Sequence, residues 1–481
     1  MKYEVTTQIL KKMDTYIFFV CSDMKSEFER ITKMMKIEKI PKKMVEEFKG
    51  EKGEEKVFYM DDKEVIFIGY GKKKKCEIEN LYSIFGHLGK RYYKTSKRIW
   101  IECIGDHDYE YEKEVSEFIL GNYKFDKYLE KDEKEGKEGK IHFYTKKRRY
   151  IEKLKMGIEE ALEQNRVRNL INEPGNKLNT TKFVDYMKKN LEDGIKMKVL
   201  HEKDLKKEGL NLILAVNQGS KNPAKMVILE YISDAKYKKE KSICLVGKGV
   251  MFDSGGYNLK TNDFSDMKED MAGAAIVYGL MNLLSKMKIK GHFVGILPLV
   301  ENMIDGGATR PGDIIKSYNG KTVEIIDTDA EGRLILADGI GYTEKYDPKL
   351  VIDIATLTGS AAYIFGNKAT AMMGYKNPII EKMKNIGERY KEHFWELPMW
   401  EEYIELTKSE VADYKNLTSS AHAGAIMGGA FLYNFVPKMK DIEWIHLDIA
   451  GVDYIKSESS TRYMGATAES FQTLFHFLIH E

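Results

Sequence analysis

Cysteine is scarce in this sequence, and its four occurrences, Cys21, Cys76, Cys103 and Cys244, stand far apart with no C-x-x-C spacing. That excludes a disulfide framework or a cysteine zinc site and points to a reducing compartment. Histidine is nearly as rare: none of the ten falls in an H-E-x-x-H pattern, so the single-helix zinc-protease signature is missing. Long apolar runs are missing too. The N-terminal MKYEVTTQILKKMDTYIFFVCSD breaks its apolar residues with Lys11, Lys12 and Asp14, leaving only Tyr16 to Cys21, and no later run reaches membrane-spanning length. The expectation is a soluble cytoplasmic protein with no membrane partner. Nor does one charge dominate. Lys+Arg 77 against Asp+Glu 75 leaves +2, which argues against a dedicated nucleic-acid-binding protein.

What is present is length and apolar content. With 481 residues, 43% of them hydrophobic, the chain can bury a large core and predicts more than one domain. Composition changes near residue 150. Before it, runs such as EVIFIGYG (64–71) and RIWIECIG (98–105) predict a smaller α/β domain over 1–150. The charged stretches Lys72 to Lys75 and 130–149 (EKDEKEGKEGKIHFYTKKRR) read as solvated loop or linker. From 151 to 481, strand-like runs at 226–232, 242–246, 292–300 and 350–357 alternate with helical patterns, the clearest being MAGAAIVYGLMNLLSKM (271–287). This predicts an α/β fold with a mainly parallel or mixed sheet flanked by helices, and ligands gathered at the carboxyl ends of its strands.

Chemistry-bearing residues lie at those ends. ICLVGKGVMFDSGGYNLK (243–260) runs from a strand into Lys248, Asp253, a glycine-rich turn and Lys260. Its GKG lacks the spacing of a phosphate loop. Asp270 precedes the helix just described, and IIDTDAEGRLILAD (325–338) sets Asp327, Asp329, Glu331 and Arg333 at every second position. If that stretch is extended, the four share one face. Singly, Asp270 is a favourable first-turn anion, Lys248 a surface lysine and Asp253 a turn residue. Together, Asp253, Asp270, Asp329 and Glu331 border segments that want to be buried, and such carboxylates need compensating cations. Two divalent ions would balance four negative charges, and metal pairs roughly 3.5 to 4 Å apart are a recurrent hydrolytic device. Lys260 and Arg333 would remain to face an anion. His446, Cys244 and the aromatics of FLYNFVPKM (431–439) read as packing residues.

VGKGVMFDSGGYNLK, DMKEDMAGAA, ATRPGDIIKSYNGKTVEIIDTDAEGRLILAD, IDIATLTG, RNLINEPGNKL and WIHLDIAG together resemble the leucyl aminopeptidase family, the two-metal cytosolic exopeptidases also called M17 peptidases. The likeness covers most of 165–455. It implies a two-metal aminopeptidase that removes N-terminal residues from short peptides, with 151–481 the catalytic domain and 1–150 serving assembly. Lys248, Asp253, Asp270 and Glu331 match ligands of the tighter metal. Asp253, Asp329 and Glu331 match ligands of the more exchangeable one. Lys260 matches the lysine that polarises the scissile carbonyl. Arg333 matches the arginine that holds a bicarbonate ion, the proton shuttle for the attacking water. Met267, Thr356, Gly359, Ala450 and Asp453 fall at the pocket for the first side chain. The resemblance also implies a homohexamer, a dimer of trimers.

A lysine binds metal only when neutral, and removing its proton at pH 7 costs on the order of 4 to 5 kcal/mol. A nitrogen-tolerant ion, Zn²⁺ first with Mn²⁺ or Co²⁺ as substitutes, therefore fits better than Mg²⁺ or Ca²⁺. Three departures from the family pattern stand out. Asp327 replaces a usual Asn, and the C-terminal GAT lacks the Gly-Arg-Pro that ordinarily follows it. Asp453 replaces an apolar residue, and it either walls the pocket with negative charge, admitting basic or polar N-terminal residues, or points away to solvent. Two other functions stay open: a different two-metal hydrolase such as a phosphoesterase, and a DNA-binding role for the lysine-rich N-terminal part.

Overall fold

The computed structural model describes every residue except 23, 37–39, 41–45, 61, 73–77, 131–137, 263, 376–378, 419–421, 440 and 481. Cys76 and most of the Lys72 to Lys75 run lie outside the described residues. The chain divides into two compact units, one of residues 1–165 with 457–464, the other of 166–456 with 465–481.

In the first unit six strands form one sheet: β1 (Lys2–Thr6), β2 (Thr15–Val20), β3 (Glu55–Met60), β4 (Lys63–Gly69), β5 (Arg98–Glu102) and β6 (Lys140–Tyr144), in the order β1-β6-β5-β2-β4-β3. Every neighbouring pair is parallel except β3 with β4. The period-two geometry of a strand sorts its side chains into two cores. Ile17, Phe19, Ile66, Ile68, Ile99, Ile101, Ile141 and Phe143 pack on one face. Tyr16, Phe18, Val20, Val65, Phe67, Trp100 and Tyr144 pack on the other. One expectation fails here. The 130–149 stretch, read as solvated loop, contains β6, paired on both sides and with Ile141 to Tyr144 buried. Four residues, Ile-His-Phe-Tyr, suffice for a buried strand, and the surrounding lysines and glutamates dilute them in any window average.

The second unit is built on a nine-stranded mixed sheet. Its strands are β7 (Ile195–His201), β8 (Lys225–Ile232), β9 (Ser242–Gly247), β10 (Gly249–Asp253), β11 (His292–Asn302), β14 (Pro348–Ala355), β15 (Thr370–Met373), β16 (Phe394–Glu396) and β18 (Glu443–Asp448). The order is β16-β15-β18-β14-β9-β11-β8-β7, with β10 added beside the end of β11. β18, β14, β9 and β11 run parallel through the centre. Their continuous apolar runs, SICLVG in β9 for example, are buried along their whole length, as strands covered on both faces must be. A smaller sheet joins β12 (Ile314–Lys316), β13 (Thr322–Glu324) and β17 (Tyr414–Lys415).

The helix Ala272–Lys286 is buried from Ala272 to Ser285 because its first turn is made of small residues that let it approach the sheet backbone. A Cβ at Gly273 would sit 2.0 Å from the carbonyl oxygen of Ile354 in β14, and one at Gly247 would sit 2.5 Å from Gly273 O. This contact brings Asp270, just before the helix, against the end of β9.

Candidate metal centre

Four segments of the second unit deliver the charged groups. β9 ends at Gly247 and presents Lys248; β10 ends on Asp253; the junction between the turn Met267–Glu269 and the following helix carries Asp270; the loop after β13 carries Asp329 and Glu331. Lys248 Nζ lies 2.6 Å from Asp270 Oδ1 and 3.0 Å from Glu331 Oε1. It also donates to the carbonyl oxygen of Thr356 at 2.7 Å, and Thr356 Oγ1 donates to Asp270 Oδ1 at 2.8 Å. After Asp253 the chain turns through Gly255 at φ +90°, a conformation L side chains rarely adopt, and the Lys260 amide returns to Ser254 O at 3.0 Å. Lys260 Nζ thereby reaches Asp253 Oδ2 at 2.6 Å and Asp329 Oδ1 at 2.5 Å.

The segment 325–333 is not extended. Asp327 Oδ1 accepts the Asp329 amide at 2.8 Å, closing a turn, and Glu331, with φ −82° and ψ −36°, caps a helix running Gly332–Tyr342. Arg333 therefore stands in the first turn of a helix, and the alternation of charges marks a turn followed by a helix start. The apolar Leu334-Ile335-Leu336 drive this, since they are buried on that helix. Gly332 leaves room at its start: a Cβ there would meet Lys248 Cε at 2.4 Å.

Asp253, Asp329 and Glu331 each offer an oxygen within 4.8 Å of the others. Two ammonium groups, Lys248 and Lys260, face four carboxylates, so two negative charges remain uncompensated. Burial holds Asp270 well above the usual carboxylate range against the pull of Lys248, and Glu331 and Asp253 add to the effect. Burial, then the charges of Asp253 and Glu331, pushes Asp329 up to about 7. Burial alone would lower both lysines, yet the same carboxylates hold Lys248 and Lys260 above the ordinary lysine value. Asp270 Oδ2 and Glu331 Oε1 are buried without a hydrogen-bond donor among the described residues, the latter near Lys248 but outside bonding geometry. Orphaned carboxylate oxygens with one amine among them are a donor set that suits nitrogen-tolerant divalent cations.

Arg333 is 5% exposed; one Nη donates to Asn416 O at 2.8 Å, and among the described residues its Nε has no partner. Burial lowers its pKa, while Glu331, Asp448 and Asp327 act the other way. Among the residues expected at the side-chain pocket, Met267 and Ala450 are half-buried, Gly359 is exposed, and Thr356 is tied to Asp270 and Lys248. Asp453 is 2% exposed, which excludes the solvent-facing alternative; its carboxyl is held well above the usual range by burial and by Glu269 and Asp270. His446 is a core residue, with Nδ1 on Asp353.

Four residues escaped sequence reasoning. Asn302, the register partner of Asp253, donates to Asp253 Oδ1 at 2.8 Å. Thr328 bonds Gly255 O at 2.6 Å and receives the Asn258 amide at 2.8 Å, joining the two acidic loops. Asn416 accepts the Ile326 amide and donates to Asp327 O and Ala330 O. Glu269, 9% exposed, has an Oε2 unpartnered among the described residues, and burial followed by Asp266 pushes it up to about 8. Asn302 and Glu269 adjoin recognisable elements, whereas nothing around Asn416 in sequence announces its role.

The fold and site thus define an α/β protein with a buried acidic centre at the carboxyl ends of its central strands. The chain belongs to the cytosol aminopeptidase family, whose catalytic-domain model matches residues 165–475. It is 41% identical over 318 residues to a probable cytosol aminopeptidase of Thioalkalivibrio sulfidiphilus, a match covering 65% of this chain and 62% of that protein, so it spans less than two thirds of that relative. A probable cytosol aminopeptidase of Clostridium tetani is 36% identical over 452 residues, 89% of this chain and 90% of its own. Among solved structures, the bottromycin maturation enzyme BotP in complex with Mn superposes with a TM-score of 0.83 at 26% identity, covering 97% of this chain and 99% of that one.

Proposed function

We propose that the chain is a cytoplasmic dinuclear metalloaminopeptidase that removes N-terminal amino acids from short peptides. The observation that carries this reading is the buried cluster in which four carboxylates outnumber two lysines. Lys248, Asp253, Asp270 and Glu331 would hold one divalent cation and Asp253, Asp329 and Glu331 the other, Zn²⁺ first, with Mn²⁺ or Co²⁺ as substitutes. Such a pair supplies Lewis-acid activation of water and of the scissile carbonyl. Family membership and the Mn named with BotP support the same view.

The chain's own groups do the rest. Lys260, 21% exposed and held cationic beside Asp253 and Asp329, would neutralise the carbonyl oxygen as negative charge develops. Arg333, with an unsatisfied Nε in a buried setting, would hold a bicarbonate ion able to carry a proton. Lys248 pairs with Asp270 and donates to Thr356 O as an ammonium, so ligation requires a cation to displace its proton. The 1–150 part would serve assembly into a homohexamer, a dimer of trimers, and 151–481 would form the catalytic domain. Turnover of aminoacyl amides with and without Zn²⁺, Mn²⁺ and Co²⁺, beside a panel of phosphate esters, tests the reading. Cation-dependent release of the N-terminal residue supports it; hydrolysis of the esters alone refutes it.

A further inference from the structure

We propose that Glu269 and Asp453 form an acidic floor that selects peptides whose first residue has a positively charged side chain, lysine or arginine. This rests on the aminopeptidase reading and adds the charge of the residue removed. Both side chains are at least nine-tenths buried, at 9% and 2% exposure, and each ends in an oxygen without a hydrogen-bond partner among the described residues, Glu269 Oε2 and Asp453 Oδ2. Glu269 directly precedes Asp270, and the pairing of Lys456 with Asp266 at 2.8 Å ties the segment just after Asp453 to the turn that carries Glu269, so acidic groups continue from the cation cluster into this corner.

The neighbouring lysines are engaged elsewhere. Lys456 Nζ pairs with Asp266 at 2.8 Å and is 78% exposed; Lys268 Nζ donates to Asn172 O at 3.1 Å. Two buried carboxylates without a paired cation are costly, and a substrate ammonium or guanidinium supplies the missing charge and donors. Half-buried Met267 and Ala450 offer apolar surface for the methylenes of a long basic side chain whose head group continues inward. Among the described residues, nothing lies within 4 Å of a Cβ placed at Gly359. A leucine side chain would leave both acids unsatisfied.

The test compares kcat/KM for arginyl, lysyl, leucyl and methionyl anilides on protein equilibrated with Zn²⁺ or Mn²⁺, with calorimetric binding of argininamide and leucinamide as a readout independent of turnover. The expected result is at least tenfold preference for the basic residues, reduced tenfold or more in ratio by Asp453→Met and by the milder Glu269→Gln, with tighter binding of argininamide. A wild-type preference for leucine that neither variant moves overturns the proposal and leaves the aminopeptidase reading standing. No cation-dependent release from any of the four substrates overturns both.

Discussion

Lys260 and Arg333 are the two cations to which the proposed function gives a part in the chemistry and none in holding the metal ions. Lys260→Ala and Arg333→Ala should each lower kcat about 100-fold or more, since each removes charge aimed at the reacting groups, while bound cation stays unchanged. Turnover and cation content of the same preparations check this; unchanged kcat in both variants would remove these roles. A second prediction concerns Glu117 in the first unit. Burial alone would raise it, but Arg462 at 2.5 Å and Lys113 at 2.8 Å bring it from 4.5 to about 2. Its folded pKa lies below its unfolded value, so its contribution, about 3 kcal/mol, is present above pH 4.5 and lost as pH falls toward 2. Denaturant titrations across that range should show the acid-side loss, and Glu117→Gln should flatten it. At this scale much was legible: Lys248, Asp253, Asp270, Asp329, Glu331 and Lys260 sit in motifs beside apolar runs, and the structure brings them together. Asn416 was not, because its role depends on a chain return more than 80 residues away in sequence from the loop it fixes.

The elements that carry these residues depend on close backbone approach. At Gly273 an added Cβ would strike Ile354 O at 2.0 Å, so Gly273→Ala must displace either the helix or β14 and should cost about 1 to 3 kcal/mol in urea unfolding. Gly359→Ala, whose added Cβ has no described residue within 4 Å, should stay within about 0.5 kcal/mol and serves as the control. Equal costs for the two would contradict the packing described. The central strands were readable because parallel strands buried on both faces are unbroken apolar runs: 226–232, 242–246, 292–300 and 350–357 lie in or overlap β8, β9, β11 and β14. β6 was not, its few apolar residues being set among charges. The start of the helix at Gly332 was missed for another reason. Alternating charges suit an extended strand, but the Asp327 turn and the buried leucines after Arg333 decide the backbone, and both are tertiary effects. The three-residue strands β12 and β13, with β17 some 90 residues later, are too short for any periodicity to mark.

At the scale of the whole molecule, the proposed hexamer predicts a particle of six 55.5 kDa chains by mass photometry, where a monomer would contradict it. Cation binding is the larger question, because the acidic cluster is the feature on which every proposed role depends. Burial with two uncompensated negative charges is tolerable only with protons or cations, and Asp329 at about 7 shows where protons compete. Apparent cation affinity should therefore rise with pH through 7 and go on rising above it, because Lys248 and Asp270 also give up protons on ligation, as read by calorimetry in a pH series. The most direct test is to strip the protein with chelator, return Zn²⁺ or Mn²⁺ stepwise, and measure bound cation per chain against aminoacyl amide hydrolysis. The account predicts activity that is absent without cation and reaches its plateau at two ions per chain; full activity in the stripped protein, or a folded chain that retains none, would contradict it.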